Sequence, residues 1–450
     1  MNKWVWAQHL SSVVASFVVL GSSCALAQSR GTQANFEKPA VLQVKDVLPE
    51  ALIKGPFHEV DSRVSNDGYF NEFRVRSKFG NFTVEGQQLL ELRIGELNAL
   101  NELDQLSSSK VIGDAVYEGG KATVLAPVNV VKKVANTVSD PDKMYDTVKA
   151  VPEGAEKVFS WAYRQAKGAA RGVSDLVTGD SETSSQDVSD GTTSTLQAGK
   201  SFGLKFIGYT SRERELFRKL QVNPYSSNQV LQDEVVRVAG LGTAVGFAFR
   251  FVPGLGLLGQ LSTFNRWYGR AEQLSLYEDP DVIKEKNKAE LRALEVPDEM
   301  IEQFQSSKVY NPWTRRFVTA SMTALGPTVA GRALFIKAAL QAKNEPSTLY
   351  FVSVAEYFEK VQKETPLKKI VSSLYIPAGV TKKGVLIVPL SVDYLYWTKE
   401  VAGIFDDFRD RVTKEESFSS VEMRIRGRVS RQARTALEAL GAKVFENSWK

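Results

Sequence analysis

The chain has 450 residues, is 43% hydrophobic and 24% charged, and carries a formal charge of +5 at pH 7. That length and composition suit two or three globular domains, and so small a charge gives no global argument for nucleic acid as a partner. One cysteine and two histidines nearly exclude disulfide, thiol and multi-histidine metal chemistry.

Residues 1–27 read as a cleavable signal peptide. Lys3 supplies positive charge, Leu10–Leu20 is an apolar run too short to span a bilayer, and Ala25-Leu26-Ala27 has the small-x-small pattern that signal peptidase accepts. Cys24, the single cysteine, follows Gly21-Ser22-Ser23, and Leu20 lies one place too far away for a good lipoprotein box. Cleavage before Gln28 is therefore the expectation, with a retained or lipid-linked anchor as the alternative. The chain is then exported to the periplasm or the exterior, and its mature form has no cysteine. Only His58 remains as a histidine, and the expectation for it is a partly exposed ring beside Glu59 at the start of a strand.

Cleavage leaves about 420 residues. The expected fold is α+β, predominantly helical and multi-domain. An N-terminal β-meander with helices covers residues 46–177, a flexible linker 178–200, a helical domain 201–365, and a small C-terminal α/β unit with a mixed sheet 366–450. His58–Val84 reads as three strands, turning at Asn66-Asp67-Gly68 and Lys78-Phe79-Gly80, with a strand Tyr69–Arg76 between the turns. A helix begins near Gln87, its leucines at helical spacing as core material. Short helices opened by Pro127, Pro141 and Pro152 follow. The Ser/Thr/Gly/Asp-rich stretch Thr178–Lys200 cannot bury apolar area.

Helices are expected over Arg212–Leu220, Asp281–Leu294, Asp298–Gln305, Trp313–Ala324, Ala330–Ala342 and Thr348–Val361. Val235–Leu261 is apolar and reads as a buried hairpin broken at Pro253-Gly254, with membrane contact as the competing reading. In the last segment Ile370–Ile376 and Val385–Pro389 form a hairpin. Helix Val392–Val412, strand Val421–Arg428, helix Arg431–Leu440 and strand Ala442–Glu446 follow it.

Three short motifs fail on context. Gly254-x-Gly256-x-x-Gly259, with Asp279 beyond it, matches a dinucleotide fingerprint, but Pro253 sits at the required tight turn and the preceding stretch is glycine-rich. Ser194–Ser201 approaches a phosphate loop but lacks its first glycine and a preceding strand. Ser107–Lys110 has SxxK spacing without the companion elements of a serine acyl-enzyme. No catalytic residue, metal site or cofactor is assigned, nucleotide cofactors included. Asp406-Asp407 and Glu415-Glu416 read as a solvated helix end, and no sequence test finds carboxylates paired in space.

Two basic surfaces stand out. On helix 157–173, Ser160, Arg164, Lys167 and Arg171 share a narrow stripe free of acids, with Lys157 beside them and Trp161 at the edge. Such a face suits an anionic membrane surface, and packing on its own domain is the plainer reading. Arg424, Arg426 and Arg428 alternate along one side of a strand, and Ser430 then caps a helix carrying Arg431. Guanidinium forks beside a helix N-terminus suit an anion. The plainer reading is an edge or half-exposed strand paired with Asp406, Asp407 and Asp410. The expected function is a non-catalytic cell-envelope protein that binds an anionic lipid surface or an envelope protein, peripheral to a membrane. A carboxylate-based hydrolase acting on an envelope polymer is the alternative.

Overall fold

The computed structural model describes residues 36–108, 210–240, 261–412 and 418–449. Expectations for residues 109–209 lie outside them: the proline-opened helices, the basic helix, the linker and the phosphate-loop-like stretch. So do the glycine-rich residues 241–260.

The fold is mixed α+β, with an antiparallel sheet first and a mixed sheet last. Strands β1 (Leu42–Gln43), β2 (His58–Val60), β3 (Arg63–Asn66), β4 (Asn71–Ser77) and β5 (Gly80–Glu85) make the first sheet. Between β1 and β2 lie two short helices, α1 (Val44–Val47) and α2 (Glu50–Ile53). β4 is central. It pairs with β5 along one side, and on the other with β3 at its start and β2 at its end. Phe73 and Val75 point inward while Arg74 and Arg76 face out, the alternation a half-buried strand requires. The expected meander is thus one strand richer before the first turn, because the chain breaks at Asp61-Ser62. That turn is as expected, with Gly68 at a φ of +126° and Asp67 Oδ1 accepting from the N–H groups of Tyr69 and Phe70.

Helix α3 (Gln87–Ser108) follows β5. Leu90, Ile94, Leu97, Leu100 and Leu103 are fully buried, so the leucine stripe is core. Gln88, Glu91, Arg93 and Glu96 are buried as well, and each finds a polar partner. Arg93 donates to Glu96, whose carboxylate also accepts from Asn228.

Among the described residues eight helices follow: α4 (Ser211–Lys219), α5 (Gln229–Gly240), α6 (Ser262–Ala271), α7 (Pro280–Ala293), α8 (Asp298–Ser306), α9 (Pro312–Ala324), α10 (Arg332–Ala339) and α11 (Glu345–Glu364). Their starts carry local signals. Thr210, Asn311 and Asn344 each accept from the N3 amide, and Pro280, Pro312 and Pro346 occupy first-turn positions where an N–H has no helical partner. No helix of the described residues is long and apolar enough to cross a membrane.

The second sheet has the order β12-β10-β8-β7-β6, from β6 (Leu367–Ser372), β7 (Pro377–Thr381), β8 (Val385–Leu390), β10 (Ser420–Ile425) and β12 (Ala442–Phe445). β6, β7 and β8 run antiparallel, whereas β8, β10 and β12 are parallel. Helices α12 (Lys399–Val412) and α13 (Arg431–Ala439) make the crossovers, as parallel strands demand. A separate two-stranded piece joins β9 (Tyr394–Leu395) to β11 (Arg428–Val429).

Several expected boundaries move. The first hairpin arm spans β6 and a turn at Ser373–Ile376, and β7 is an extra strand. α12 starts at Lys399, because Asp393–Trp397 runs extended against the N-terminal sheet. The arginine-rich strand stops at Ile425. It is an interior strand between β8 and β12, whereas an edge was one expectation.

Apolar packing forms two clusters. The larger runs from Val44 to Ile387 and joins the first sheet, α3 and the helices after it. The smaller lies between the second sheet and α12 and α13, with Leu386, Val388, Phe405, Met423 and Leu437 in it.

Candidate functional site

The five basic-helix residues Lys157, Trp161, Arg164, Lys167 and Arg171 lie outside the described residues. The second basic surface is fully described, and the chain's own carboxylates meet much of it. Arg424, on β10, donates to Glu422 and stacks over the Phe445 ring at 4.2 Å. Arg426, just past the strand, donates to Thr263 Oγ1 at 3.0 Å and lies 3.7 Å from Glu91, deep on α3. Ser430 accepts from Ala433 N as the α13 cap, and its hydroxyl donates to Glu37. Glu37 also accepts from Trp397 N, so a carboxylate of this chain already sits at that helix start.

Arg428 and Arg431 are exposed on either side of Ser430. Arg428 and Arg431 are thus neighbours of Ser430 along the chain only, whereas Arg424 and Arg426 are held by Glu422 and Thr263. The expected acidic partners are otherwise engaged. Asp406 and Asp410 pair with Arg409, and Asp407 pairs with Arg411, all within α12.

Two further expectations change. His58 is buried, its ring 3.2 Å from the Leu52 carbonyl, and burial lowers its pKa. Glu59 turns outward to Lys54, because neighbouring residues of a strand face opposite ways. Asp279, spaced as a ribose-binding acid, caps α7 by accepting from Asp281 N and pairs with Arg214.

A carboxylate group unforeseen in the sequence gathers where the first sheet meets the strap before α12. Asp67 comes from the β3–β4 turn, Glu85 from the end of β5, and Asp393 from the link between β8 and β9. Asp393 accepts at 3.0 Å from both Asn71 N and Gln87 N, the second at the start of α3. Burial pushes its pKa up to about 6, against the pull of those amides and of Arg426. Glu85 lies within reach of the Asp67 charge. Its pKa is pushed up to about 7, by burial first and then by the charges of Asp67, Glu72 and Asp393.

Glu85 and Asp393 line a shallow depression with Phe70, Gly86, Gln88, Leu89, Pro346 and Leu349. A carboxyl titrating near neutrality beside other carboxylates can give or take a proton there. Among the described residues no three His, Cys, Asp or Glu side chains are grouped to hold a metal ion. No local signal in the sequence marks Glu85 or Asp393, which meet only because the two sheets abut.

Comparison with known protein families, curated proteins and solved structures finds no match.

Proposed function

We propose that this chain is an exported cell-envelope protein, peripheral to a membrane, that binds an anionic lipid surface. The observation that carries this reading is the acid-free basic stripe of Lys157, Arg164, Lys167 and Arg171 with Trp161 at its border. An amphipathic helix of that kind gains from anionic headgroups along one face and from apolar insertion along the other. The exposed pair Arg428 and Arg431 supports a second contact point. An envelope protein with an acidic face would be read by the same residues.

The carboxylate-based hydrolase remains as a second reading, favoured by Glu85 beside Asp67 and the depression it lines. One experiment addresses both. Flotation of the mature protein with vesicles of anionic and of neutral lipid should show binding to the anionic set alone. Changing Arg164, Lys167 and Arg171 together to Gln should weaken it about a hundredfold at low salt, since each basic residue contributes ~1 kcal/mol near such a surface. Absence of wild-type flotation, with release of fragments from envelope glycans that Glu85→Gln abolishes, would replace the binding reading by the hydrolase.

A further inference from the structure

Helix α7 buries Ile283, Asn287 and Leu291 at spacings of four, so an amide interrupts an otherwise apolar stripe. Helix α9 packs against α7 and buries Arg316 and Thr319 along with Trp313 and Phe317. The polar bonds between the two helices define a seam. Arg316 Nη1 donates to Glu290 Oε2 at 2.7 Å and to Asn287 Oδ1 at 3.2 Å, and Thr323 Oγ1 lies 3.2 Å from the same Glu290 oxygen. Arg316 and Thr323 therefore share the face of α9 that meets α7. Thr319 falls between them at helical spacings of three and four, which puts it on that face too.

Three side-chain atoms in this seam have no hydrogen-bond partner among the described residues: Asn287 Nδ2, Arg316 Nε and Thr319 Oγ1. Their residues are 1%, 4% and 0% exposed, so bulk solvent does not reach them. A buried polar atom left alone is costly, and nearly all such atoms are paired with protein or with ordered water. Asn287 Nδ2 and Arg316 Nε belong to two groups already bonded to each other through Oδ1 and Nη1, and so lie close together.

We infer that this seam binds one buried water molecule. Its oxygen accepts from Asn287 Nδ2 and Arg316 Nε, and one of its hydrogens goes to Thr319 Oγ1. Three partners are typical of an internal water. A halide is the other small ligand that a set of donors could take, and charge decides against it. Arg316 is already balanced by Glu290, so a halide would leave a net negative charge out of contact with water, whereas a water molecule adds none. Size decides against anything larger, because all three atoms are sealed from solvent. The site is independent of lipid binding and of the carboxylates at the sheet joint.

Diffraction from crystals of the wild-type protein, at a resolution that shows ordered solvent, should place a peak about 3 Å from both Asn287 Nδ2 and Arg316 Nε. Oxygen-17 relaxation dispersion gives a second measurement in solution, because its amplitude counts long-lived internal waters. Asn287→Leu combined with Thr319→Val leaves a single partner, too few to hold a water, and should lower that amplitude by one long-lived molecule. An unchanged urea slope shows that the variant is folded. If it does not fold, the wild-type crystal decides alone. A seam without a peak overturns the proposal, as does undiminished dispersion in the folded variant. An anomalous peak at the site after bromide soaking also overturns it, by making the occupant an anion.

Discussion

Arg426 and Glu91 lie 3.7 Å apart, with 16% and 1% of their side chains exposed. Neither charge reaches much water, so each depends on the other and on Thr263, whose N–H donates to Glu91 at 2.6 Å and whose hydroxyl accepts from Arg426. Removing one member leaves an uncompensated ion inside, which is far more costly than never having buried the pair. Arg426→Met should therefore destabilise the protein by about 3 kcal/mol in urea denaturation. Converting Glu91 to Gln in the same chain should recover part of that loss, because the orphaned charge is then gone. Alternation in Val421–Arg428 placed the arginines on one side of the strand. It carried no information about which of them another helix would cover, since α3 and β10 are joined only by the fold.

Helix α3 meets α6 at Gly95, where an added Cβ would fall 2.1 Å from the Phe264 ring. Two effects of opposite sign compete there. Alanine favours a helix over glycine by about 1 kcal/mol, whereas forcing a methyl into a filled interface costs about 1–3 kcal/mol. The overlap involves a buried ring packed on Tyr268 at 4.3 Å, so steric cost should win. Gly95→Ala is expected to lower stability by about 1–2 kcal/mol, measured as a reduced urea midpoint at unchanged slope. A rise would mean that the ring gives way freely. Helix spans such as Trp313–Ala324 and Thr348–Val361 were legible because hydrophobic period is local, although the second helix begins three residues earlier, at Glu345. The start of α12 was not, since residues 393–397 are apolar enough for a helix and are drawn into extended pairing by a distant turn.

The larger apolar cluster includes Phe73 of the first sheet and Phe358 of α11, both fully buried. A shared core couples the stability of its parts, because a cavity opened at one end weakens contacts that both ends use. Phe73→Ala and Phe358→Ala should each cost about 3–5 kcal/mol and lower the same calorimetric transition. Two transitions, with each variant moving only one, would show that the sheet and the helices unfold separately.

Sequence alone determined the α+β class, most helix spans, the turn at Asp67-Gly68 and the near exclusion of cysteine and multi-histidine chemistry, because hydrophobic period, capping residues and composition are local properties. Only the tertiary structure decided that β10 lies inside its sheet, that Arg424 and Arg426 meet Glu422 and Glu91, that His58 is buried, and that Asp67, Glu85 and Asp393 converge. Each of these depends on contacts between segments far apart in the chain. Pairing partners, burial and facing charges are properties of neighbours in space, which no spacing along one strand or helix encodes.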